Sequence, residues 1–79
     1  MAVERLYLRL VRINRRELSL NDDMLDLALV LGGAPEVSGV ELMGTHSKGG
    51  HVVYVDLLTP GAMETLGLYL EGCGWRCAM

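Results

Sequence analysis

The chain has 79 residues, of which 51% are hydrophobic and 22% charged, and its formal net charge is −3. This composition excludes disorder, which needs low hydrophobicity and high net charge. The acidic balance also demotes a general attraction to phosphate backbones. A single domain over residues 1–79 is expected, burying only about 60–65% of its unfolded surface. The positive mean hydropathy of +0.29 therefore implies apolar surface left over for a partner.

Charge is unevenly placed: Arg5, Arg9, Arg12, Arg15 and Arg16 precede Asp22, Asp23 and Asp26. Met1 to Ile13 alternates charged and apolar residues without a continuous hydrophobic stretch, so no signal peptide is expected. No apolar run approaches the roughly 20 residues of a membrane span, and a cytoplasmic location is expected. The cysteines, Cys73 and Cys77, form no disulfide framework and read as reduced, partly buried thiols.

The first element, Glu4 to Ile13, alternates strictly. Leu6, Leu8 and Leu10 fall on one side, and Arg5, Tyr7, Arg9 and Val11 on the other, the period of a half-buried strand. A polar link, Asn14 to Ser19, follows. Ser19 offers a capping hydroxyl, and acidic residues in the first turn complement a helix dipole. Leu20, Met24, Leu27, Ala28 and Leu31 then mark one face of a helix, which Gly32-Gly33 and Pro35 end.

Val37 to Gly44 reads as a second strand with Val40 and Leu42 on one side. Thr45 to Gly50 is a hairpin turn, and His51 to Leu58, rich in β-branched residues, is a third strand. Its Val53, Val55 and Leu57 are expected inward, and Val52, Tyr54 and Asp56 outward. Thr59-Pro60 predicts a helix start, with Thr as cap and Pro in the first helical position. Ala62, Leu66, Tyr69, Leu70 and Cys73 repeat the apolar template of the first helix. Gly72 and Gly74 end this helix, and Trp75 to Met79 is a final short strand.

The order β-α-β-β-α-β predicts a ferredoxin-like α+β sandwich. Two split βαβ units would form a four-stranded antiparallel sheet of order 4-1-3-2, with both helices on one face. A swapped or dimeric version of the same elements is the alternative. In topology this order resembles heavy-metal-associated domains, ACT regulatory domains and RNA-recognition motifs. Leu70-Glu71-Gly72-Cys73-Gly74-Trp75 looks like the passage into the last strand of the metal-associated domains. Their metal loop holds a Cys-x-x-Cys pair, whereas Asn14 to Asn21 contains no cysteine. The same loop lacks the glycine of ACT domains, and the third strand lacks the basic-aromatic motif of RNA-recognition domains. No family is claimed on these residues.

No nucleophile-base-orienter set is visible, Gly32-Gly33 follows a helix rather than preceding one, and so small a chain hardly builds a deep pocket. The expectation is a protein without catalytic residues. His46 and His51 flank the turn and could face each other, but a closed metal site wants four ligands. Solvated histidines at a hairpin tip, with no cofactor, are the simpler expectation.

Arg5, Tyr7, Arg9 and Tyr54 share the open sheet face in the predicted fold, with the tyrosines side by side. Such a platform suits a protein interface, where Tyr and Arg are enriched, or single-stranded nucleic acid stacked on the rings. Leu25 and Leu29 fall opposite the core stripe of the first helix and hint at docking or a homodimer. The sequence thus points to a non-enzymatic regulator or inhibitor that occupies a surface of a larger protein. Phage inhibitors such as anti-CRISPR proteins are an analogy of size alone.

Overall fold

A computed structural model describes residues 4–13 and 18–78. Its elements are β1 (Glu4–Arg12), α1 (Leu20–Gly32), β2 (Val37–Thr45), β3 (His51–Leu57), α2 (Met63–Gly72) and β4 (Trp75–Cys77). The four strands form one antiparallel sheet of order β2-β3-β1-β4. This is the ferredoxin-like α+β fold, with the strand order expected from the sequence.

The central pairing sets Leu6 opposite Val55, Tyr7 opposite Tyr54 and Leu8 opposite Val53. One parity of both strands therefore meets the helices. Leu8, Leu10, Val53, Val55 and Leu57 build the core with Leu27 and Leu31 from α1, Leu66 and Leu70 from α2, and Trp75 from β4. Each leucine fully buried there contributes about 1.5–3 kcal/mol.

Local chemistry explains the boundaries. Ser19 caps α1, its Oγ accepting the backbone N–H of Asp22 at 3.1 Å. At the other end the N–H of Gly33 reaches the carbonyl of Leu29 at 3.1 Å. The second helix begins at Met63 rather than at Pro60. Gly61 explains the delay: its φ of +79° lies in the left-handed region, which an α-helix cannot contain. Thr59 thus belongs to a preceding turn, its carbonyl accepting from Ala62 N–H at 3.4 Å.

Leu20 and Cys73, expected in the apolar stripes, are exposed. Each sits at a helix terminus, Leu20 as the first residue of α1 and Cys73 as the C-cap of α2. The expected outward Val52 is instead buried. In the register it lies between Arg9 and Gly44, and Arg9 is held down by backbone carbonyls. The polar link from Asn14 lies outside the described residues as far as position 17, as does Met79.

Candidate interaction surfaces

The candidate residues divide between two opposite sides of the molecule. Arg5, Tyr7, Arg9 and Tyr54 come together on the open sheet face, because Tyr7 and Tyr54 are register partners on adjacent central strands. Their ring centroids are 5.2 Å apart at 64°, an edge-to-face contact. The Arg5 guanidinium lies 4.8 Å from the centre of the Tyr54 ring, and its Nη2 donates to Glu41 Oε1 at 2.5 Å. Asp56 adds a longer ion pair, 3.9 Å from Arg5 Nε. Arg9 spans backbone: Nη1 donates to the carbonyl of Gly49 at 2.8 Å and Nη2 to that of Ala78 at 3.1 Å.

These contacts change what the face offers. Tyr54 carries Arg5 over its ring and packs edge-to-face with Tyr7, so one approach to its π-surface is already taken by a cation of the fold. Both arginines are engaged within the fold, and two carboxylates offset the charge of Arg5. A phosphate chain needs the opposite arrangement, cations turned outward beside open rings.

Leu25 and Leu29 lie across the molecule, on the outer surface of the helix layer. They are 61% and 77% exposed, and helical rotation accounts for it. Leu29 lies two positions from both Leu27 and Leu31, which are buried against the sheet. At about 100° per residue, it points almost straight away from them. The same geometry operates in α2, where Leu68 stands between the buried Leu66 and Leu70 and is 70% exposed. Leu68 was not among the residues singled out from sequence, although its position between the two core leucines was the available signal.

The hairpin end of the domain holds a further cluster that sequence reasoning missed. Arg12 continues the inward parity of Leu8 and Leu10, and only 10% of its side chain is exposed. Its Nε donates to Asp23 Oδ1 at 2.8 Å and its Nη2 to Asp26 Oδ2 at 2.9 Å. Its guanidinium stands 4.4 Å from the centre of the Trp75 ring. Trp75 Nε1 donates to Asp26 Oδ2 at 3.2 Å, and His51 Nε2 is 3.1 Å from Asp23 Oδ2. Burial alone would lower the pKa of Arg12, but hydrogen bonds to Asp23 and Asp26 outweigh it and raise the value. Burial alone would raise that of Asp23, yet the bonds from Arg12 and then His51 bring it below the ordinary carboxylate value. Two acids one helical turn apart, facing an inward arginine and an inward histidine, were the sequence signal.

His51 is consequently not a solvated residue of the hairpin tip: only 5% of its side chain is exposed. Nor does it face His46. Thr45 is its register partner, and His46 Nδ1 accepts the backbone N–H of Lys48 at 3.0 Å. Among the described residues no group of three or more His, Cys, Asp or Glu side chains is gathered for a metal ion. The other ring nitrogen of His51, Nδ1, is buried without a hydrogen-bond partner.

An open cleft of about 310 Å³ adjoins the cluster and is lined by Arg12, Leu20, Asp23, His46, His51 and Trp75, among others. It is larger than expected for so short a chain. Its charged groups are engaged with one another, which suits a structural clamp between α1 and the sheet. No helix among the described residues is long and apolar enough to cross a membrane. No protein-family model matches this chain, and neither a curated protein nor a solved structure matches it.

Proposed function

We propose that this chain is a non-enzymatic protein-interaction module, a small regulator or inhibitor that acts by covering a surface of a larger protein complex. One observation carries the reading: both helices present leucines outward, Leu25 and Leu29 from α1 and Leu68 from α2. A single exposed leucine needs no explanation. Three on one layer, including the outward apex of each helix, leave apolar area that a partner would remove from water. The internal engagement of Arg5, Arg9 and Tyr54 favours this reading over nucleic-acid binding on the sheet.

The test is a tagged pull-down from extract of the cells that make the protein, with and without nuclease. It compares the unaltered chain, Tyr7→Ala and the double variant Leu25→Asp/Leu29→Asp, each checked for folding by circular dichroism. The proposal expects one protein that survives nuclease and is lost with the double variant. Recovery that collapses with nuclease, or that is unchanged in both folded variants, overturns it.

A further inference from the structure

We infer that the outer surface of the helix layer docks a basic amphipathic segment of a partner protein. This rests on the interaction-module reading and adds the chemistry of the partner. Neither α1 nor α2 contains a Lys, Arg or His residue, whereas together they carry Asp22, Asp23, Asp26, Glu64 and Glu71. Asp23 and Asp26 are turned to Arg12. Asp22, Glu64 and Glu71 are exposed beside the outward leucines.

The last turn of neither helix holds a basic residue that would offset these carboxylates. The outer face of each helix thus combines exposed leucine with exposed carboxylate and no cation. Its complement is a segment whose leucine-like side chains pack on Leu25, Leu29 and Leu68 while Lys or Arg residues reach the flanking carboxylates.

The same charges decide against a second copy in this position. An isologous dimer over the helix layer would press together two copies of a surface that carries Asp22, Glu64 and Glu71 and, from its helices, no cation. Like-charge juxtaposition of this kind works against association. Phosphate-bearing partners are disfavoured for the same reason.

Three helical peptides test the inference. Two share a leucine stripe and differ in the polar face, one Lys/Arg and the other Glu. The third keeps the basic face with serine in place of the leucines. Binding is measured by calorimetry, and the site is mapped by backbone amide shifts, at about 50 and 300 mM salt. The basic leucine peptide should bind at least about ten-fold more tightly than either control and weaken at the higher salt. Shifts should concentrate in α1 and α2.

Leu29→Ser/Leu68→Ser should abolish binding, and Glu64→Lys/Glu71→Lys should transfer preference to the acidic peptide. Equal binding of the acidic peptide, shifts centred on Tyr7 and Tyr54, or no binding of the basic peptide overturns the inference. So does a dimer, seen by sedimentation, that Leu29→Ser/Leu68→Ser dissociates. Extract capture that depends on Leu25 and Leu29, alongside failure of the basic peptide, would leave the interaction module standing without its basic partner.

Discussion

Replacing Arg12 with methionine should destabilise the domain far more than loss of an arginine near a strand end ordinarily would. Arg12→Met keeps an unbranched stem beside Trp75 but removes the cation held between Asp23 and Asp26. Breaking a buried ion pair by removing one partner costs about 3–5 kcal/mol. The carboxyl-bearing side chains keep 23% and 35% exposure, so water softens their loss and the lower end, about 3 kcal/mol, applies. The lost cation–π contact is included in that figure. A domain of this length has a total stability of about 4–12 kcal/mol, so a quarter or more of it should disappear. Urea unfolding followed by circular dichroism measures the change. A double-mutant cycle with Asp23→Asn should return a coupling of about 1–3 kcal/mol. A loss below about 1 kcal/mol, the level of a solvated surface pair, or a cycle with no coupling would refute the clamp.

Acid should weaken the same clamp. The folded-state pKa of Asp23 is depressed, so its stabilisation is complete above the unfolded value of about 3.9 and is lost as pH falls through the folded value; Asp23→Asn should flatten this acid limb in pH-dependent urea melts. Gly50→Ala should cost about 3 kcal/mol and Gly49→Ala about 1, since both glycines have positive φ but a Cβ at Gly50 would stand 2.6 Å from the Leu10 carbonyl oxygen while that at Gly49 meets open space. Equal losses in thermal melts would contradict that contrast. Leu27→Ala should cost about 2–5 kcal/mol, whereas Leu29→Ala should stay within about 0.5 kcal/mol, because the first empties the core and the second only trims the surface.

Period-two alternation in Glu4 to Ile13 and the helical spacing of Leu27 and Leu31 were enough to assign faces, and the turn chemistry between them ordered the strands. The pairing of Tyr7 with Tyr54 followed from that topology. What sequence could not supply was the fate of polar groups. Arg5 and Arg9 read as outward cations, but the fold engages them with Glu41, Asp56 and backbone carbonyls. His51 opens the third strand and reads as solvated beside the hairpin tip, yet its parity with Val53 and Val55 sends the ring inward. The start of α2 was misplaced for a backbone reason. Thr59-Pro60 is a sound capping signal locally, and the left-handed conformation of Gly61 overrides it.

The distribution of arginine links the stability of the domain to the surface proposed for its function. Arg5 and Arg9 lie on the open sheet face, and Arg12 turns inward at the hairpin end. Arg12 draws Asp23 and Asp26 into the clamp, which fixes the rotation of α1 about its own axis. With Asp23 and Asp26 facing the sheet end, the helical repeat carries Leu25 and Leu29 to the outside. A different rotation would bury one of these leucines and expose Leu27 or Leu31, exchanging outward leucines for core. The clamp and the outward stripe are therefore two consequences of one helix orientation. Because neither helix has a cation of its own, the same orientation leaves the stripe flanked by Asp22 from α1 and by Glu64 and Glu71 from α2. Loosening the clamp should consequently weaken partner binding even though Arg12 lies away from the outward leucines.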